Sequence, residues 1–464
     1  MSCPESLSSL LNTYGQSHLL EFWDTLVPLQ QQHLQGQIES IDFEQLRCLL
    51  AQEGLEQLWS EKAARAEPPP AITLDRFRDS VAHSKALELG GEAIAAGKVA
   101  MVLTAGGQGS RLGFDHPKGM FPIGPLSQRS LYQIIIEKVA ARAKQFGGII
   151  PFYVMTSPPT HNESLNYLTQ NKRFGYPDRD FRMFCQGVMP AVDSDGKIIL
   201  AEKHSIFQSP NGHGGAIAGL VESGHLQEML DRGVEHIFYG QVDNPLIQAC
   251  DPSLIGFHIM NESEMTTQVI RKNEPLQKVG NVVSVDGNVQ IIEYSDLPEE
   301  HARAQNPDGS LKFWAGSIAV HVFNSSFLDR VRHDTDSLPF HRAQKQVPYI
   351  DRDGDLVRPE HANATKFEKF IFDLLPKAKN AIVCEVDPAE GFCAVKNAPP
   401  ASSETPEHVK KAMSDLHRKW LERAGVSVAE GVTIEINPSF AVDQQQVVAR
   451  MGKMEDVVAS KYFD

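Results

Sequence analysis

The stretch Thr104-Ala105-Gly106-Gly107-Gln108-Gly109-Ser110-Arg111-Leu112-Gly113, followed by Pro117-Lys118-Gly119, holds the residue types from which a seat for a chain of phosphates can be built. Glycines let backbone N–H groups approach an anion, because no Cβ stands in the way. Arg111 adds a planar fork matched to two phosphate oxygens, and Lys118 adds a compact positive charge. A purely structural glycine turn needs neither cation. A Walker loop closes on Gly-Lys-Ser/Thr at the mouth of a helix, and no Gly-Lys follows the first glycines at that spacing. The dinucleotide fingerprint can be traced only as Gly107-x-Gly109-x-x-x-Gly113, one residue too long. The reading that accounts for every part is a triphosphate cradle.

Further along the chain, other groups suit the same kind of ligand. Gln186, followed by Gly187, can offer an amide donor and acceptor to a base edge, or it is a surface residue in a turn. Ser209-Pro210-Asn211-Gly212-His213-Gly214-Gly215 is a second glycine loop with an apolar helix, Ala216 to Val221, behind it. Asp243-Asn244-Pro245 closes an apolar run, so Asp243 either caps a turn or presents a carboxylate at the end of a strand. Magnesium on a nucleoside triphosphate takes only one or two protein carboxylates, so a lone Asp suffices for the second role. Lys366, Phe370 and Phe372 by themselves read as a core helix with exposed lysines, and Lys396 as a solvated loop lysine.

The pattern Leu-x-x-Gly-Gly-x-Gly-x-Arg-Leu-Gly with a following Pro-Lys-Gly resembles the signature of the UDP-sugar pyrophosphorylases, most nearly the UDP-N-acetylhexosamine pyrophosphorylase family. The resemblance covers residues 90 to 400 firmly and the ends in outline. It implies transfer of a uridylyl group from UTP to a hexose 1-phosphate, N-acetylglucosamine 1-phosphate foremost, with release of pyrophosphate. Arg111 and Lys118 are then the catalytic cations, on the departing pyrophosphate and the α-phosphate. Ala105, Gly106, Gly107, Gln186, Gly212 and Asp243 become nucleotide contacts, with Gln186 on uracil and Mg²⁺ on Asp243. The sugar and its phosphate fall to His213, Gly280, Glu293, Tyr294, Ser317, Phe370 with Phe372, Lys366 and Lys396. Two positions depart from the pattern. His213 and Ser317 stand where the N-acetylhexosamine enzymes carry Asn, and His213 is more like the UDP-glucose enzymes. A UTP–glucose-1-phosphate uridylyltransferase or a broad UDP-sugar pyrophosphorylase is therefore the alternative.

The elements that must hold these groups read as an α/β chain. From Val99 onward strands and helices alternate, as in a largely parallel sheet covered on both faces. The resemblance specifies it as a Rossmann-like, glycosyltransferase-A-like nucleotidyltransferase sheet, with a helical N-terminal addition and a small α/β C-terminal one. The expected division is 1–95, 96–398 and 399–464. Val99 to Thr104 is a buried strand; Ser130 to Gln145 and Thr405 to Trp420 are amphipathic helices. Ile149 to Thr156 and His236 to Val242 are strands, and Thr160-x-x-Glu163 fits a capping box. Leu19, Phe22, Trp23 and Leu26 fall on one helical stripe, and Leu46, Leu49, Leu50 and Leu55 on another. Pro68-Pro69-Pro70 reads as a stiff connector, and Asp286-Gly287 as a hairpin turn.

The totals exclude several classes. With 464 residues and net charge −15, a nucleic-acid backbone is not an expected partner, although cations concentrated at one site can still bind anions. No apolar run approaches the length of a membrane span, and no secretory signal opens the chain. Six scattered cysteines without a C-x-x-C pair point to thiols in a reducing cytoplasm, and a monomer or small homo-oligomer is expected. Asp351-Arg352-Asp353-Gly354-Asp355 lacks the glycine and glutamate spacing of a calcium loop and reads as a turn. A glycosyltransferase would need a D-x-D metal pair, but the instances at Asp178, Asp193, Asp334, Asp351 and Asp353 fall mostly in turns. A non-catalytic sugar-nucleotide sensor would not need Arg111, Lys118 and Asp243 together.

Overall fold

The computed structural model describes residues 3–51, 55–334, 338–451 and 456–464, with the side chains of 55–58 left aside. Leu55 therefore lies outside the described side chains, as does Asp336, the second member of the Asp334 pair. The chain forms two compact units, neither of them continuous in sequence. The smaller comprises Met1–Gln57, Gln186–Gly215 and Leu338–Ile371; the larger comprises Leu58–Cys185, Ala216–Ser337 and Phe372–Asp464. This differs from three consecutive segments. An apolar stripe shows that a helix is buried, but not which distant part of the chain buries it.

The larger unit is built on an 11-stranded sheet. Its main order is Ala71–Ile72, Ala381–Glu385, Met265–Arg271, Ala315–Asn324, His236–Gln241, Val99–Thr104, Phe152–Thr156 and Phe181–Cys185. All neighbours in that order pair in parallel except the two on either side of Ala315–Asn324, which runs antiparallel to both. Val99 to Leu103 are at most 1% exposed. Covered on both faces, this strand reads as an unbroken apolar run rather than an alternation. The expected hairpin forms between Asn281–Val285 and Asn288–Ile292, with Asp286 and Gly287 both at positive φ in its turn. The Pro68–Pro70 connector joins two short edge pieces, Ala66–Glu67 on that hairpin and Ala71–Ile72 on the main sheet.

Helices cover the sheet as the sequence implies. Leu131–Phe146 starts at Ser130, whose hydroxyl accepts from Gln133 N, and Pro406–Arg423 starts at Thr405, which accepts from His408 N. Pro252–Met260 starts at Asp251. This last helix crosses Ser80–Ala95 backbone to backbone. A Cβ on Gly256 would lie 1.8 Å from Ala86 O, and one on Gly90 would lie 1.9 Å from Pro252 O. The C-terminal stretch has its own apolar cluster, including Leu421, Ile434, Ile436 and Phe463, and strand Ile434–Ile436 pairs with Lys461–Phe463.

The smaller unit packs helices Glu5–Thr13, Pro28–Glu39 and Phe43–Ala51 on short hairpins, through a core of Leu7, Leu11, Leu34, Ile38, Leu46, Ile198, Ile206 and Phe367. The Asp351 turn is confirmed here: its carboxylate accepts from Asp353 N and Asp355 N between Tyr349–Ile350 and Leu356–Val357.

Three local expectations are corrected. Leu19, Trp23 and Leu26 are buried, but Leu19 and Trp23 lie on two 3₁₀ turns, Ser17–Leu20 and Trp23–Thr25, and Leu26 is extended just after the second, rather than all on one helix. Their spacing fits either form, and Pro28 restricts Val27 to extended backbone. The helix after Phe152–Thr156 is capped by Ser157, not Thr160, because Pro158 and Pro159, which carry no N–H, fit first-turn positions whose N–H groups would find no acceptor in the helix. Residues Ala364–Lys369 form a strand paired with Phe340–Lys345, followed by a 3₁₀ turn from Ile371, not a core helix.

Gly256→Ala and Gly90→Ala are each expected to lower stability by about 2–3 kcal/mol, the cost of overpacking where backbone cannot yield. Urea unfolding followed by circular dichroism checks this; an unchanged midpoint would refute the close helix crossing.

Candidate functional site

Two parallel strands set the site in the larger unit. Thr104 at the end of Val99–Thr104 pairs with Gln241 at the end of His236–Gln241, and Thr104 O accepts from Val242 N at 3.0 Å. The glycine loop and Asp243 therefore leave the sheet side by side, at the carboxyl edge where open α/β sheets hold ligands. Ser157 Oγ donates to Gly106 O at 2.6 Å, fixing the first peptide of the loop. A Cβ on Gly107 would meet nothing within 4 Å, so packing does not demand glycine there, and its missing side chain keeps the loop open to a ligand. Gly109 and Gly119 are glycines for the opposite reason: a Cβ would strike Phe114 O at 2.6 Å and the Tyr132 ring at 2.3 Å.

The two cations behave differently. Lys118 N donates to Gly107 O at 3.0 Å, and Lys118 Nζ reaches Asp243 Oδ2 at 3.3 Å, with the side chains 17% and 14% exposed. Arg111 sits on the Ser110–Leu112 turn, exposed, and makes no ion pair among the described residues. Its carbonyl accepts from Ala398 N at 3.0 Å.

That last bond belongs to a strap, residues 391–398, which ties the parts together. Val395 N donates to Asp243 O at 2.9 Å. Asn244, 2% exposed, donates to Gly391 O at 2.9 Å and accepts from Cys393 N and Leu246 N. The strap thus carries the Lys396 backbone past the Asp243 turn and the glycine loop. From the other side, Lys138 Nζ on helix Leu131–Phe146 donates to Pro245 O and Ile247 O at 2.5 and 3.1 Å. Burial pushes this ammonium down to about 7. Asn244, Ser157 and Lys138 were missed as site residues, because their roles rest on backbone groups distant in sequence. Only the Asn-Pro turn gave a signal.

The sugar-side residues of this unit also converge. Antiparallel pairing of Ala315–Asn324 with His236–Gln241 brings the beginning of the former, with Ser317, towards the end of the latter, with Asp243. Ser317 N donates to Gly280 O at 2.8 Å, and a Cβ on Gly280 would lie 3.0 Å from Glu293 Oε1. Ser317 Oγ accepts from Ala319 N inside a bulge where Ala319 has φ +54°. Tyr294 is 48% exposed and Phe372 is buried.

In the smaller unit, Gln186 is buried and its side-chain oxygen has no hydrogen-bond partner among the described residues. A buried amide oxygen left so is costly unless something donates to it. Gly212 has φ +84°, and its Cβ would lie 2.4 Å from Lys369 O. Gly212 and Gly214 are glycines because the Ala364–Lys369 strand presses on both. His213 stacks on Phe370, ring centroids 5.3 Å apart, and its Nδ1 accepts from Ile371 N at 3.3 Å. Burial, then the His341 charge, pull its pKa down to about 4, so the ring is neutral near pH 7. Lys366 lies over the Phe207 ring at 4.8 Å.

A parallel strand pair ending in a glycine loop, a Lys–Asp contact and a nearby lysine strap is the arrangement of a nucleotidyltransferase sheet. The comparisons agree. The family described as UTP–glucose-1-phosphate uridylyltransferase matches residues 59–416, and the chain belongs to it. It is 36% identical to the UDP-N-acetylhexosamine pyrophosphorylase-like protein 1 of Xenopus tropicalis, over 92% of this chain and 86% of that one. It is 32% identical to the UDP-N-acetylglucosamine pyrophosphorylase of Saccharomyces cerevisiae, over 95% and 96%. A crystal structure from Entamoeba histolytica, of a candidate UDP-N-acetylglucosamine pyrophosphorylase, is 29% identical with a TM-score of 0.78, covering 86% of this chain and all of that one.

Burial lowers four imidazoles: His213 and His236 to about 4, His258 and His417 to about 3. In the unfolded chain each titrates near 6.5, so below that pH the unfolded state binds more protons. Stability is then complete above pH 6.5 and falls as the pH drops towards 4. Urea midpoints measured from about pH 7.5 to 4.5 check the sign; a midpoint that is flat or rises on acidification would refute it.

Proposed function

We propose that this chain makes a UDP-sugar and pyrophosphate from UTP and a hexose 1-phosphate, with N-acetylglucosamine 1-phosphate preferred. The observation that carries the reading is the Lys118–Asp243 contact, held where two adjacent parallel strands end beside the glycine loop. The names of the relatives support the sugar. His213 and Ser317 favour glucose 1-phosphate as the second reading, because both depart from the N-acetylhexosamine pattern.

The reaction is substitution at phosphorus. An oxygen of the sugar phosphate forms a bond to the α-phosphorus of UTP, and the bond from that phosphorus to the α,β-bridging oxygen breaks. Phosphate monoesters lose their second proton near pH 6, so the attacking oxygen is ionised at pH 7 and no general base is required. The protein's task is to assemble two polyanions and to stabilise charge on the leaving group. Backbone N–H groups at Gly106 and Gly107, Arg111 and Lys118 suit the triphosphate, and Lys396 suits the sugar phosphate. The Gln186 side-chain oxygen, without a partner among the described residues, suits the N–H of uracil.

Asp243 would hold Mg²⁺, since an exposed triphosphate supplies the other oxygen ligands; among the described residues no group of three acidic or metal-ligating side chains offers a closed site. Such an ion neutralises phosphate charge. Lys118 holds the Asp243 carboxylate oriented towards the loop. No described helix is long and apolar enough to cross a membrane. All six cysteines are free thiols, as suits a reducing compartment such as the cytoplasm.

Lys118→Ala is expected to cut turnover about 10²–10³-fold, the loss typical of one charge-stabilising donor, with the chain still folded by circular dichroism. Pyrophosphate release from UTP, measured over a panel of sugar 1-phosphates, tests both activity and sugar. No release with any of them, or a Lys118→Ala chain as fast as wild type, would overturn the reading.

A further inference from the structure

The linker after the strap turns back on Lys396. Lys396 N and Asn397 N both donate to Glu404 O, at 2.8 and 3.1 Å, and Asn397 Nδ2 donates to Ser403 O at 3.2 Å. Backbone and amide bonds alone therefore close this loop. The Glu404 side chain does something separate: its Oε1 lies 3.0 Å from Lys396 Nζ, with the two side chains 34% and 33% exposed. Glu404 holds φ at +57°, a left-handed conformation that residues other than glycine, Asn and Asp seldom adopt.

We propose that Glu404 is a positioning residue of the sugar-phosphate subsite: its carboxylate holds the Lys396 ammonium as an internal stand-in anion and gives it up to the phosphate of the incoming sugar 1-phosphate. The inference rests on the uridylyltransferase reading and names a residue that reading does not require. Carboxylate and phosphate oxygens are alternative acceptors for the same ammonium donors. The strap fixes the backbone that carries Lys396, through Val395 to Asp243, Ala398 to Arg111 and Asn244 to Gly391 and Cys393, and Glu404 holds its ammonium. An ion pair this exposed contributes little to folding, so stability does not explain a carboxylate held against Lys396. A phosphate dianion carries more charge than a carboxylate and displaces it, and the residual competition sets the affinity for the sugar 1-phosphate without touching that for UTP.

The test is steady-state pyrophosphate release by the full chain. The KM for UTP and the KM for whichever of N-acetylglucosamine or glucose 1-phosphate turns over faster are measured separately. Glu404→Gln keeps the shape and removes the charge. Its KM for the sugar 1-phosphate is expected to fall about two- to fivefold, the range of a half-exposed ion pair, with the KM for UTP unchanged. Glu404→Ala is expected to shift the same constant in the same direction. A sugar-phosphate KM that stays put or rises, or a parallel change in both constants, overturns the inference while an active wild type leaves the enzyme reading standing. A wild-type chain that releases no pyrophosphate overturns both.

Discussion

Parallel strands paired in register end at the same level, and the larger unit depends on that fact. With Thr104 opposite Gln241, the glycine loop and the Asp243 turn are neighbours as soon as the sheet forms. A single ion pair can then join them: the Lys118 ammonium, itself tied to Gly107 through its backbone, reaches the Asp243 carboxylate. Each group offsets the cost of half-burying the other. Under the proposed reading the carboxylate would suit Mg²⁺ and the ammonium the phosphates.

The rest of the larger unit holds this pair from both sides. Lys138 grips the carbonyls of Pro245 and Ile247, and Asn244 is fully engaged with the strap. These contacts run from the half-buried Lys138 amine and a buried amide to backbone oxygens, so they fix the chain's path without competing for ligand. A strongly acidic protein thus keeps Lys118 on Asp243, with the backbone of Arg111 and of the strap that carries Lys396 tied alongside. Net charge governs solubility, whereas the field at the site is set by which groups the fold brings within a few ångströms.

Glycines that look alike in the sequence differ in purpose. Gly107 faces open space, and its missing side chain keeps the loop accessible. Gly109, Gly119, Gly212 and Gly214 each have protein atoms where a Cβ would sit. The second glycine loop therefore reports on the strand packed against it as much as on any ligand. His213 inside it is a neutral, stacked ring with a backbone donor on Nδ1.

The sequence by itself determined the alternation of strands and helices, most element starts and the cradle. These rest on local physics: an apolar run for a buried strand, a side-chain oxygen before a helix, glycines beside an Arg and a Lys. It also named Asp243 and Lys396, though only through family resemblance, since one carboxylate and one lysine carry no local signature. Tertiary structure decided the rest. It gave the N-terminal helices their partners from residues 186–215 and 338–371, turned Ala364–Lys369 into a strand, and assigned Asn244, Lys138 and Glu404 their contacts. Each of those outcomes depends on groups more than a few residues apart along the chain or on a choice between packings of similar local propensity. Such pairings exist only once the backbone has closed, and no spacing in the sequence records them.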